Sequence, residues 1–258
     1  MVRRGCAVLV AGVVLLALGA CGPTDDPDPA PTGTTGPASS SSSPSPSASP
    51  TPTPTPARPS PTPSPTPTSP AFTSSVAPID DALAQRMHAS WREGCPVPLA
   101  DLRYVTVTYV DFDGAAHQGE LVVHADQAAG IVDVFRALFA AGYPIRSMRL
   151  VDDFGADDDA SMAADNTSAF NCRAITGGTA WSEHAYGRAI DVNPVENPYV
   201  RGGRAAPPAG AEFVERTAAP GVILPDDAVV RAFAAAGWRW GGYWDDPIDY
   251  QHFSTTGR

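Results

Sequence analysis

The sequence has no lysine; all 17 of its basic residues are arginine. That one-sided choice points to coding bias and not to a function. Acid is in excess, with 28 Asp and Glu and a formal net charge of −11. After Pro70 alone, 25 acids stand against 14 arginines. A surface of that sign repels phosphate backbones, which excludes nucleic acid as a partner bound through a basic face. Cysteine is equally scarce, four in 258 residues. Long apolar runs are missing too: the uncharged stretch 7–20 falls short of the ~20 residues that cross a bilayer comfortably. No internal repeat is present.

What is there begins with Met1-Val2-Arg3-Arg4, a positively charged leader ahead of that apolar run. Together they read as a signal peptide over residues 1–20. Its end, Leu18-Gly19-Ala20-Cys21, resembles a bacterial lipobox, with cleavage before Cys21 and lipid on its thiol; the plainer alternative is an ordinary signal peptide with a coincidental cysteine. The chain is then expected outside the cytoplasm, anchored to the membrane. From Gly22 to Pro70 it is almost wholly Pro, Ser, Thr, Gly and Ala, and holds 17 of the 28 prolines. Such a tract favours extended polyproline II and cannot bury a core. Residues 21–77 are therefore expected to form a disordered stalk, a spacer in the first place, with O-glycosylation or recognition by a proline-binding partner as the alternative.

Cys6 leaves with the signal and Cys21 is spent on lipid, so Cys95 and Cys172 are left in the domain. Outside the cytoplasm such a pair usually forms a disulfide; two buried free thiols are the other possibility, while a zinc site would call for closer spacing.

The folded domain is expected over 78–258. Ile79, Leu83, Met87 and Trp91 recur every four residues before Gly94, predicting a helix over 79–93. Residues 102–110 alternate and are rich in Val, Thr and Tyr, a strand that Asp111-Phe112-Asp113-Gly114 turns into a partner over 119–124. Asp126 is expected to cap a helix carrying Ile131, Phe135, Leu138 and Phe139 and closed by Gly142. A strand over 145–151, a long polar loop over 151–166 and a last helix over 226–236 follow. Asp157-Asp158-Asp159 in that loop reads as a solvated face, with Ca²⁺ a lesser option. The sum is an α+β fold: one compact domain, a central antiparallel sheet and flanking helices.

Two clusters carry chemistry. Trp181-Ser182-Glu183-His184-Ala185-Tyr186-Gly187-Arg188-Ala189-Ile190-Asp191 sets an imidazole and a carboxylate seven residues apart, and Asp249-Tyr250-Gln251-His252 lies near the C-terminus. Two His and one Asp make a three-ligand Zn²⁺ set with a position left open. Asp191 could instead cap a turn. Ser-x-His, then Gly, then Asp, and much later acid-x-x-His resembles the VanY-type D-alanyl-D-alanine carboxypeptidases and the phage L-alanyl-D-glutamate endolysins. The likeness extends to Asn166–Arg173 and to Gly237–Gly242.

That resemblance implies a zinc peptidase. His184, Asp191 and His252 would be the metal ligands and Asp249 the general base, unless it serves to orient a ligand histidine. Arg173 would stabilise negative charge on the scissile carbonyl or grip a carboxylate, with pairing to the acidic loop as the bland reading. Ser182 would touch substrate or order its loop, and Trp244 would line the cleft. The implied substrate is the peptide stem of peptidoglycan, cut by carboxypeptidase or endopeptidase action; Arg188, Arg201 and Arg204 are candidates for reading a terminal carboxylate. A monomer is expected. The rival is a catalytically silent cell-wall-binding module of the same fold, which would have no need of a base.

Overall fold

The computed structural model describes residues 70–258. The signal segment, Cys21 and most of the proline-rich tract lie outside the described residues. In chain order come β1 (Ser74–Pro78), α1 (Asp81–Arg86), β2 (Leu102–Val110), β3 (Ala116–His124), α2 (Ala128–Ala140), β4 (Ser147–Met148), α3 (Asp158–Ala163), β5 (Asn166–Thr167), β6 (Ala189–Asp191), β7 (Tyr199–Arg201), β8 (Arg204–Ala206), α4 (Ala228–Ala235), β9 (Arg239–Trp240), β10 (Ile248–Asp249) and β11 (His252–Ser254). The fold is α+β with antiparallel sheets, as the sequence predicts. The strands divide into three three-stranded sheets, ordered β1-β2-β3, β10-β7-β8 and β6-β11-β9, and a short parallel pair, β4-β5.

Several boundaries move. The stalk was expected to run to residue 77, yet β1 pairs along β2 from Ser74↔Val107 to Pro78↔Arg103. Pro78 ends this edge strand, where the missing N–H of proline is tolerated. The helix expected over 79–93 stops at Arg86. The carboxylate of Asp152 accepts the N–H groups of Ala89 and Ser90 at 3.1 and 2.9 Å, so the chain leaves its helical path there. Ile79, Leu83, Met87 and Trp91 still face inward, onto a small core with Leu102, Val122, Phe170 and Cys172.

Asp126 does not cap α2. The capping position is Gln127, whose side chain makes no cap bond, while Asp126 pairs with His124 at 2.7 Å and Arg188 at 2.6 Å. The strand expected over 145–151 shrinks to β4. The stretch 151–166, expected as a loop, holds a 3₁₀ turn over Val151–Phe154, α3 and the start of β5. Asp157 caps α3 by accepting the Ala160 N–H at 3.1 Å, so the acidic run is a helix start.

The main core lies between one face of β2 and β3, the buried stripe Ile131, Phe135 and Leu138 of α2, and Val229 and Phe233 of α4. Phe253 of β11 stacks on Phe233 with ring centroids 3.9 Å apart. It is fully buried, and burying an aromatic ring of this size contributes ~1.5–3 kcal/mol. His252 precedes it, so the strand that carries His252 is anchored by its neighbour.

Candidate metal centre

His184 sits in a one-turn 3₁₀ segment, Glu183–Tyr186. The Ser182 hydroxyl accepts the His184 N–H at 3.3 Å, and Gly187 ends the turn with φ +65°. A Cβ at Gly187 would lie 2.6 Å from the His124 amide nitrogen. Only glycine meets both demands, the left-handed backbone and the close approach of β3. The chain then enters β6, whose last residue is Asp191.

Asp191 is the direct antiparallel partner of His252 on β11. Opposed residues in such a ladder project to the same face, and Asp191 Oδ1 lies 3.0 Å from His252 Nδ1. The other carboxylate oxygen, Oδ2, lies 3.1 Å from His184 Nε2. The ligand atoms of the three residues are all within 4.8 Å of one another. Each residue is at most 6% exposed.

The remaining ring nitrogens fix the tautomers. His184 Nδ1 lies 2.5 Å from the Ala169 carbonyl and His252 Nε2 lies 3.1 Å from the Arg258 carbonyl. A carbonyl only accepts, so both of those nitrogens carry hydrogen. In the neutral rings, His184 Nε2 and His252 Nδ1 then point lone pairs at the oxygens of one carboxylate, and His184 Nε2 is sealed from solvent without a hydrogen bond among the described residues. Two lone pairs facing an anion ask for a cation between them. Histidines held by backbone carbonyls around a carboxylate are what a divalent metal requires, so the residues fit the metal the sequence implies. Asp191 draws positive charge of either kind, and a proton on His252 answers the same demand. Burial works against the charge on His252, but the hydrogen bond and charge of Asp191, with Asp249 adding, push its pKa up to about 9. Burial likewise opposes ionisation of Asp191, and the two histidines outweigh it, holding that carboxyl well below the usual range.

Asp249 lies on β10, opposite Tyr199. Its Oδ1 is sealed from solvent and has no partner among the described residues. Burial is the main cause that raises its pKa to about 7; Asp191 and Asp158 add to the rise, while His252 and Arg173 oppose it. The 3₁₀ turn Gly241–Tyr243 lies against this segment, and a Cβ on Gly241 would come 2.7 Å from the Asp249 carbonyl.

Cys95 and Cys172 form a disulfide. Arg173 follows it and pairs with Asp158 at 2.7 Å, the pairing with the acidic segment that the sequence offered as the bland alternative. Ser182 is 6% exposed and caps the His184 turn, which is loop ordering. Trp244 stands 5.5 Å from the His252 ring and donates to the Gly257 carbonyl at 3.0 Å. Of the three arginines considered for carboxylate recognition, Arg188 is engaged by Asp126. Arg201 and Arg204 are exposed and directly opposed across β7 and β8.

Sequence reasoning missed the Ala169 and Arg258 carbonyls, which carry no residue signal, and it missed Asp158. It also missed a second carboxyl pair: Asp165 and Glu196 are both buried, and their neighbouring carboxyl groups act on each other's charge.

This donor set, with an acid beside it, is positioned to bind a metal and suits metal-assisted hydrolysis. Residues 176–255 match the family model described as D-alanyl-D-alanine carboxypeptidase. The matched segment holds His184, Asp191, Asp249 and His252 and starts after Arg173. The resemblance drawn from the two motifs is borne out over these residues, and at family level it supports a metallopeptidase, a hydrolase acting on peptidoglycan. No curated protein and no solved structure matches the chain.

Proposed function

We propose that the domain is a zinc carboxypeptidase of peptidoglycan stem peptides ending in D-alanine. The observation that carries this is the His184/Asp191/His252 triad beside Asp249, whose Oδ1 has no partner among the described residues. His184 Nε2, one or both Asp191 oxygens and His252 Nδ1 would hold the ion. Zinc bound there supplies a Lewis acid and lowers the pKa of water. Asp249, with a pKa near 7, is suited to take a proton from the attacking water and return it to the leaving amine. Arg173 carries N–H donors to offset charge growing on the carbonyl oxygen.

Carboxypeptidase action is favoured by β7. Tyr199 opposes Asp249 and Arg201 lies two residues on, hence on the same face of the strand. Arg201 faces Arg204 across a two-glycine turn. Like charges placed opposite each other are unfavourable, and an incoming carboxylate would relieve them. Lipid on Cys21 and an extended tract would hold the domain at the membrane within reach of the wall, and Cys21→Ser should release it from the membrane fraction.

The test is digestion of purified cell wall with and without chelator, with products read by mass spectrometry. Chelator-sensitive loss of one terminal D-alanine supports the proposal. Release of internal stem fragments would make the enzyme an endopeptidase. Binding without cleavage would make it a silent wall-binding module.

A further inference from the structure

The Arg173 backbone is fixed on every side. The Cys172 N–H donates to the Ser90 carbonyl at 2.9 Å, and the Arg173 carbonyl accepts the Ser182 N–H at 3.0 Å. Arg92 donates to the Cys172 carbonyl at 2.9 Å, and the disulfide ties the same residue to Cys95. The side chain has fewer constraints. Among the described residues Nη1 reaches only the Ala174 carbonyl, at 3.4 Å, and Nε is sealed without a partner. The one strong contact among the described residues is Nη2 to Asp158 Oδ2 at 2.7 Å. An arginine side chain carries up to ~2 kcal/mol of rotamer entropy, so a guanidinium needs such a contact to stay aimed.

Asp158 is well mounted for that task. It is the first residue of α3, directly after the capping Asp157. The pair is about three-quarters buried, 25% and 24% exposed at the two side chains, unlike a solvated surface bridge whose worth is small. Both charges are felt at Asp249, and that of Asp158 also interacts with Asp191 and His184. The neighbouring Asp159 is exposed and makes no ion pair among the described residues.

We propose that Asp158 is a positioning residue: it holds the Arg173 guanidinium in place beside the catalytic centre, leaving the remaining Nη–H donors for the substrate. This rests on the peptidase reading of the site. It also extends the working site upstream of the matched segment 176–255, onto a helix that the sequence presents as a solvated acidic run.

The test is a double-mutant cycle on the full chain with a D-Ala-D-Ala-ended muropeptide. D158N should lower kcat by roughly ten- to a hundred-fold with KM within about two-fold, because aim acts on the transition state. In the R173A background the same change should cost less than about two-fold, since residues acting through one another are not additive. D158E should recover part of the loss, D159N should leave kcat unchanged, and metal content should stay constant throughout. A readout independent of turnover is the Arg173 Nε–Hε NMR resonance, which should be resolved and slowly exchanging in the parent and averaged in D158N. Equal costs of D158N in the parent and R173A backgrounds would overturn the proposal. So would a lower KM at unchanged kcat, which would make Asp158 an obstruction to substrate. An inactive parent would count against the peptidase reading, and the NMR result would still decide the role of Asp158.

Discussion

Asp191 and His252 face each other across an antiparallel ladder, Oδ1 to Nδ1 at 3.0 Å, although they come from two motifs far apart in sequence. Strand pairing, not loop folding, brings the halves of the metal site together. The register is held by Phe253↔Ile190 and Ser254↔Ala189 in the same ladder, and a slip by one residue would turn His252 to the opposite face.

The turn before this ladder depends on Gly187. Gly187→Ala puts a side chain into left-handed backbone and 2.6 Å from the His124 nitrogen. Such strain costs of order 1–3 kcal/mol. The variant should unfold at lower denaturant concentration and bind metal more weakly than the parent, measured by chemical unfolding and metal titration. Unchanged midpoint and affinity would show that the turn relaxes freely.

Glu196 gives a pH signature. Burial raises its pKa from the ordinary 4.5 to about 8, and the neighbouring carboxyl of Asp165 adds to the rise. The folded state therefore holds a proton that the unfolded chain has released, and stability from this group falls as pH rises between those two values. Glu196→Gln keeps a donor beside Asp165 without a titrating proton. It should flatten the slope and melt above the parent near pH 8, as read by Tm against pH. A parallel fall in both proteins would contradict this assignment.

How far the sequence reached follows from the kind of signal. The alternation of Leu102–Val110 marks a strand over the same bounds the structure has, because one of its faces meets the core. The metal triad was legible since its residue types and spacing are unusual together. Helix α3 was not legible, because an Asp-rich run looks the same whether its first carboxylates cap a helix or face water. Asp158, Asp165 and Glu196 owe their roles to neighbours distant in sequence. The sequence likewise could not show that Asp126 binds Arg188 instead of capping α2, a tertiary ion pair overriding a local preference.

The disulfide joins residues separated by 77 positions. Replacing Cys95 and Cys172 together by serine should lower stability by about 2–5 kcal/mol. Thiol labelling of the native parent should find neither cysteine until a reductant is added. Free labelling before reduction would exclude the bridge.

The most direct test of the account sets metal holding against proton transfer. His184→Ala and His252→Ala each remove a ligand, so bound zinc and turnover should fall together. Asp249→Ala should keep about one equivalent of zinc by elemental analysis while turnover on a D-Ala-D-Ala-ended muropeptide falls by about 10²–10⁴, the usual worth of a positioned acid–base group. If Asp249→Ala loses its metal as fully as His252→Ala, then Asp249 is a ligand and the division of roles is wrong; if all three variants hydrolyse the muropeptide as the parent does, the site is not a metallopeptidase centre.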